Sequence, residues 1–163
     1  MQTSPVDEAH FRQVLGHFPT GVTIITAADG DGKPVGFAVG SFASLSLDPP
    51  LVLFCAGKSS STFPAIRDAG RFCVNILAAD QEDLCREFAS KKGDKFAGIG
   101  WRASHHTGSP ILQDVLGYID CEIQDVIEGG DHWIVVGLAQ DLEVQHEGKP
   151  LIFYRGGYGS FDV

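Results

Sequence analysis

Between Val115 and Val144 the sequence reads as two long strands folded back on each other. Over Val115 to Ile127, the residues Ile119, Cys121 and Ile123 alternate with Asp120, Glu122 and Gln124, which predicts one dry and one wet face. Gly129-Gly130-Asp131 turns the chain, and His132 to Val144 returns as the hairpin partner. The 20 Gly, 11 Phe and single Met agree, pointing away from a helical bundle and toward turn-rich β structure.

The rest of the chain fits around that hairpin. Asp7 to Phe18 reads as a helix with Phe11, Val14, Leu15 and Phe18 on one face, Asp7 as its cap and Pro19 as its stop. GVTIITAADGDGKPVGFAVGSF carries a second hairpin signal, and Ser41 to Leu47 alternates loosely before Asp48-Pro49-Pro50 breaks the pattern. LVLFCAG is wholly apolar, which predicts a central strand buried on both faces. Ser59 to Ala69 reads as a short helix capped by serine and ended by Gly70; Arg71 to Leu77 as a strand; and Asp80 to Ala89 as a helix turning Leu84 and Phe88 inward. Lys91 to Pro110 is polar and Gly-rich, as expected of a long loop, and Leu151 to Tyr154 reads as a final strand. About seven strands and three short helices without regular alternation predict a mainly β fold, an antiparallel Greek-key barrel with helices on its rim, in a single domain over residues 1–163.

Charge narrows the partners. Twelve Lys and Arg against 21 Asp and Glu give a net charge of −9, which disfavours nucleic acid and anionic membrane surfaces. The longest apolar stretch, Leu51 to Ala56, is far short of a membrane span, and the opening MQTSPVDEAHF lacks a signal-peptide pattern, so a cytoplasmic protein is expected. Cys55, Cys73, Cys85 and Cys121 form no CxxC pair and read as small buried thiols of a reducing compartment. His105-His106 is an adjacent loop pair whose side chains diverge, and no metal site is expected.

No GxSxG, P-loop, HExxH or GxGxxG is present. The candidate chemistry lies in five other segments. Gly36 to Ser44 (Gly36, Phe37, Ala38, Val39, Gly40, Ser41, Phe42, Ala43, Ser44) places small residues in strands, either for tight sheet packing or for close approach of a flat ligand to the backbone. Cys55, Ala56, Gly57, Lys58, Ser59, Ser60, Ser61 and Thr62 end a strand and open a helix, making either a serine-rich cap or a phosphate site. Phe88, Ala89, Ser90, Lys91 and Lys92 close the next helix, where the cations serve the helix end or the same anion. Last, His132 follows a Gly129-Gly130-Asp131 turn, and Arg155-Gly156-Gly157-Tyr158-Gly159 follows the final strand, either as plain loops or as ligand-facing ones.

In order, FRQVLGHFPTGVTIIT, GFAVGSFASLSLDPPLVLFC, KSSSTF, GRFCVNIL, DKFAG, GSPIL, GYIDCEI, GGDHWIVVG and PLIFYRGGYG resemble the short-chain flavin reductase family over about Phe11 to Tyr158. The resemblance implies the FMN-binding split-barrel fold and the reductase component of a two-component flavin-dependent monooxygenase acting on aromatic compounds. It implies that Gly36, Phe37, Ala38, Val39, Gly40, Ser41 and Ser44 line the isoalloxazine through the backbone. Cys55, Ala56, Gly57 and Lys58 would border the ribityl chain, and Ser61 and Thr62 would meet the phosphate. Phe88, Ser90 and Lys91 would reach the phosphate or the adenylate half of FAD. His132, as the catalytic candidate, and Arg155, Gly156 and Tyr158 would lie over the flavin, where the nicotinamide of NADH stacks. The implied cofactors are FMN or FAD, with NADH, or less readily NADPH, as hydride donor. The implied partners are a second copy of the chain and a separate oxygenase. Some family members continue beyond the equivalent of Tyr158, so a covering or dimer-building tail is expected to be missing.

Hydride transfer between nicotinamide and flavin is cofactor chemistry, so the lack of a triad or paired acids is expected. A non-catalytic flavin carrier or sensor on the same fold is the alternative. GGDH and RGGYG favour the reductase, since a carrier needs no nicotinamide site. An oxidase of a small phosphorylated substrate is more distant, because it would call for more Arg and Lys than this acidic chain holds.

Overall fold

The structure, a computed structural model, describes residues 5–162; the first four residues of the polar opening lie outside the described residues. Seven strands, β2 (Thr23–Ala28), β3 (Pro34–Val39), β4 (Ala43–Leu47), β5 (Pro50–Gly57), β6 (Arg71–Ile76), β9 (Gly117–Gly129) and β10 (His132–Val144), form one sheet in the order β3-β2-β6-β9-β10-β5-β4. Every pairing in it is antiparallel. The edge strands β3 and β4 are joined by residues 40–42 alone. So short a link spans at most about 15 Å, so the sheet must curl until its edges nearly meet. That is the expected split barrel. Two side sheets add five short strands: β1 (Thr20–Gly21), β11 (Leu151–Tyr154) and β12 (Gly157–Ser160) in one, β7 (Trp101–Ala103) and β8 (Pro110–Leu112) in the other. The sequence reading finds six of the seven main-sheet strands and β11, sees β4 only as a loose alternation, and misses β1, β7, β8 and β12, whose periodicity is too brief to read. Tyr154 is not the end of the β structure, because β12 pairs back on β11.

Apolar residues form a core on each side of the sheet. Ile25, Ala27, Phe54, Phe72, Val74 and Val135 meet inside the barrel. Ile24, Cys73, Phe88, Ile111, Leu112 and Val115 meet outside it. Strands β2 and β6 alternate between the two cores and are therefore buried on both faces. The expectation of two buried faces for LVLFCAG fails: Val52, Phe54 and Ala56 point inward, while Leu51, Leu53 and Cys55 stay partly exposed. The layer of helices and loops covers β2 and β6, not β5.

Helix boundaries differ from the sequence reading. Helix α1 (Glu8–Leu15) starts at its Asp7 cap, whose carboxylate accepts the His10 N–H at 3.0 Å, and ends at Gly16, before Phe18 and Pro19. Helix α2 (Phe63–Ala69) starts four residues after Ser59, and Ser60 Oγ accepts the N–H groups of Thr62 and Phe63. Gly70 ends it in the left-handed region at φ 73°. Helix α3 (Glu82–Ala89) follows a 3-10 turn over Ala79–Gln81; Cys85 and Phe88 are buried, and Leu84 only partly.

The supposed loop Lys91 to Pro110 carries β7 and delivers β8 to the outer core. Buried Asn75 holds it there: Oδ1 accepts the Leu112 N–H at 2.8 Å, and Nδ2 donates to Ile24 O, Thr26 Oγ1 and Pro110 O. The wet face read into β9 also fails at Asp120, which is wholly buried and accepts the backbone N–H and hydroxyl of Thr107. The β7–β8 turn folds over that face, so exposure begins at Glu122, near His106 Nε2 at 3.5 Å.

All four cysteines are free. Burial pushes the Cys121 thiol up to about 12 and raises Cys73 and Cys85, each of which is buried. Cys55 alone is partly exposed. Maleimide labelling at neutral pH should therefore modify one thiol per native chain quickly, and all four only after denaturation. Rapid labelling of more than one native thiol would contradict this packing. No helix among the described residues is long and apolar enough to cross a membrane.

Candidate functional site

Strand β3 lies at an edge of the main sheet. Its backbone pairs with β2 on one side only, which leaves polar groups on the other side free for a ligand. Phe37 and Val39 turn into the barrel, with Phe37 edge-on to Phe54 at 6.2 Å, while Gly36 and Ala38 face α3. A Cβ at Gly36 would stand 3.1 Å from the Phe88 ring and 3.0 Å from Ile25 O, so glycine lets strand and helix close together.

Beside β3 opens a cleft of about 470 Å³. Phe37 and Ala38 form one wall, Ser59 to Thr62 a second, and Phe88 to Lys92 with Lys95 the third. It brings together Phe37, Ala38, Ser61, Thr62, Phe88, Ser90 and Lys91 from segments far apart in sequence. Ser59, Ser60 and Lys92, which the sequence offered for the same anion, join them, as does Lys95, to which sequence reasoning gave no role. Lys95 lies within DKFAG, a stretch marked by resemblance but given no role. Its amine donates to Phe88 O at 3.1 Å and Gly36 O at 3.4 Å, bridging the end of α3 to β3. Burial lowers its pKa from the ordinary lysine value, with Glu87 opposing in part. Hydroxyls and ammonium groups without a carboxylate in the wall suit a phosphate, so the residues present fit the phosphate-bearing half of a flavin nucleotide.

Other expected residues border this cleft or lie apart from it. Ser41 Oγ donates to Cys55 O at 3.0 Å and accepts the Cys55 N–H, tying the β3–β4 link to β5; Gly40 is in that link and Ser44 is in β4 opposite Val52. Ala56 is buried in the barrel. The Lys58 amine turns to Glu128, holding that carboxyl below its usual range, and sits 4.9 Å over Trp133. His132 pairs with Gly57 at the end of β5, and its Nε2 and Ser59 Oγ both approach the space over Gly57. His132 Nδ1 is 2.7 Å from Asp131, whose carboxyl is lowered by that contact.

Arg155, Gly156 and Tyr158 do not share a wall with His132. The Arg155 N–H donates to Gly16 O at 2.9 Å, and Gly156 turns the chain at φ 77° into β12. The Tyr158 hydroxyl is 3.5 Å from Cys85 Sγ, and the Arg86 guanidinium lies 4.8 Å over its ring. The Cys85 contact and then burial push the Tyr158 hydroxyl up to about 12. Tyr158 also lines a separate hollow of about 480 Å³ with His17, Pro19 and Tyr154.

Comparison with known proteins gives the family. The model of the flavin reductase like domain matches residues 15–162. A flavin reductase of Pseudomonas putida is 52% identical over 158 residues, covering 97% of this chain and 92% of that protein. The HsaB reductase subunit of a flavin-dependent monooxygenase from Rhodococcus jostii (strain RHA1) is 54% identical over 153 residues, covering 94% of this chain and 77% of that protein. The solved structure of the NADH:FAD oxidoreductase SgcE6 of Streptomyces globisporus C-1027, in complex with NAD and FAD fragments, superposes with a TM-score of 0.91 at 33% identity, covering 99% of this chain and 97% of that one. With a split barrel, a phosphate-suited cleft at its open edge and a family match over nearly all its length, this chain belongs to the flavin reductase-like domain family.

Proposed function

We propose that the chain is an NAD(P)H-dependent flavin reductase, taking hydride from NADH to FMN or FAD and supplying reduced flavin to a separate monooxygenase that acts on aromatic compounds. One observation carries the reading: the lysine- and hydroxyl-lined cleft opens against the unpaired edge of β3. The bound flavin supplies the hydride-accepting ring, and the protein needs to hold two rings at near-attack distance. Ser61, Thr62 and Lys91 would hold the phosphate, and the backbone of residues 36–41 would orient the ring and donate to it as charge develops. Gly57 and Lys58 would border the ribityl chain. His132, beside Gly57, would set the nicotinamide over the ring. Replacing His132 with alanine should then raise the KM for NADH by about tenfold, the scale of one lost positioning contact, while the flavin Kd shifts less than twofold. Equal losses in both would sink the assignment.

The test of the activity is NADH oxidation followed at 340 nm with added FMN or FAD. Turnover that requires flavin and saturates in it is the expected result. A protein that binds flavin yet turns over neither nucleotide would be a carrier instead.

The same reading includes one domain over residues 1–163, a cytoplasmic location and a homodimer. The dimer is supported by α1, none of whose residues is buried. Phe11, Val14 and Leu15 of the helix and Phe18 just after it stand more than half exposed, with Phe18 at 72%. Such a stripe normally faces a core or a partner. Light scattering should give twice the chain mass of 17.5 kDa, and the double substitution Phe11→Asp, Phe18→Asp should give the single-chain mass. A wild-type monomer would overturn the dimer.

A further inference from the structure

The segment between β10 and β11, residues 145–150, is exposed along most of its length, yet it is tied down at both ends. Leu116 O accepts the Gln145 N–H at 2.7 Å, and Lys149 O accepts the Ala79 N–H at 2.8 Å. Between these ties stands His146. Its Nε2 is 2.8 Å from Asp114 O, and its Nδ1 is 3.2 Å from Glu147 O. Both neighbours are carbonyl oxygens, which only accept. A neutral imidazole has one N–H, so it serves one of them and turns a lone pair toward the other; the imidazolium serves both. The backbone is built around the ring. Asp114 holds the left-handed region at φ 65°, uncommon for any residue but glycine, and its carbonyl there meets Nε2. A Cβ at Gly148 would stand 3.3 Å from the ring and 3.1 Å from Leu116, so glycine lets the chain close over both.

The charged groups around the ring are acidic. Asp114 comes from the link between β8 and β9, Asp80 from the 3-10 turn and Glu147 from the segment itself, while Glu143, near the end of β10, lines the same hollow of about 560 Å³. Lys149 is held by Asp162 at 2.6 Å, and Arg102 donates to Gln145 Oε1 at 3.3 Å. We propose that His146 is a proton-operated clamp: charged, it pins residues 145–149 to the β8–β9 link; neutral, it lets that segment open away from the hollow it walls. The carbonyls of Asp114 and then Glu147 raise the ring's pKa above the ordinary histidine value, and the negative charges of Asp114 and Asp80 add to this. The ring gains these partners on folding. Its stabilising contribution is therefore complete below the unfolded-state pKa of about 6.5 and is lost as pH rises through the raised folded value.

Two measurements on the whole chain test this. A histidine C2–H titration by NMR, with His146→Gln to assign the resonance, should place the His146 midpoint above about 6.5. Amide hydrogen exchange, corrected for the intrinsic rate at each pH, should show the Gln145 and His146 amides losing protection roughly tenfold as pH rises through that midpoint, the scale of one lost hydrogen bond from a charged donor. In His146→Gln, which keeps an amide donor and does not titrate, that step should be absent. The amides of β6 should keep their protection throughout. A midpoint at or below about 6.5, unchanged protection across the midpoint, or the same step in His146→Gln would overturn the proposal. So would a parallel loss in β6, because the whole fold would then be loosening with pH rather than one clamped segment.

Discussion

Replacing Asn75 with alanine should destabilise the protein by about 3 kcal/mol, a large share of a total near 5–15 kcal/mol. Asn75 is wholly buried between β2, β6 and β8. Its carbonyl takes the Leu112 N–H, and its amide group serves Ile24 O, Thr26 Oγ1 and Pro110 O. Truncation leaves the Leu112 N–H buried with no acceptor and loosens the polar link between the sheet and β8, leaving the Thr26 hydroxyl on Pro110 O. Each orphaned buried group costs about 1–3 kcal/mol, and the small cavity adds to that. Equilibrium urea unfolding would show it as a lowered midpoint at unchanged slope. Asn75→Asp should fare little better, since it keeps the acceptor but buries a charge beside three carbonyl or hydroxyl oxygens. A loss below 1 kcal/mol would mean that Ile111 and Leu112 hold β8 by apolar packing alone.

Asn75 also shows where sequence reading stops. RFCVNIL reads correctly as a strand from its β-branched and aromatic residues, but nothing local says that its one amide anchors a segment 35 residues away. Asp120 misled for the same reason: strict alternation put it on a wet face, and only the tertiary placement of Thr107 buries it. Strand β5 shows the converse. A short apolar run fits one buried face or two, and neighbours decide which. The long β9–β10 hairpin and the β2–β3 hairpin were legible because length and turn residues agree. The cleft was half legible. Ser61, Thr62 and Lys91 stood out as helix-flanking anion ligands, whereas Lys95 sits in a polar stretch and reaches the cleft only through the fold.

Lys95→Met should weaken binding of FMN and FAD alike by roughly 30-fold, the equivalent of about 2 kcal/mol for a lost charge-assisted contact in a partly dry cleft. The amine sits between the free edge of β3 and the last turn of α3, on the third wall of the cleft. The pH dependence has a definite sign. Burial lowers the Lys95 pKa from the ordinary lysine value, and only the ammonium form attracts phosphate. Flavin affinity should therefore fall as pH rises through that lowered pKa, before an ordinary lysine would titrate, and this limb should vanish in Lys95→Met. Free-chain stability runs the other way. With the folded pKa depressed, the unfolded chain binds more protons in the alkaline window between the two pKa values, so holding Lys95 charged costs stability below that window. Removing the charge should accordingly leave the thermal midpoint of the flavin-free protein at or slightly above wild type while affinity drops. Lys95→Arg, which keeps the charge, should recover part of the affinity. If instead Lys95→Met lowers midpoint and affinity together, the residue acts as a strut between β3 and α3, and phosphate recognition falls to Lys91 and the hydroxyls of Ser61 and Thr62.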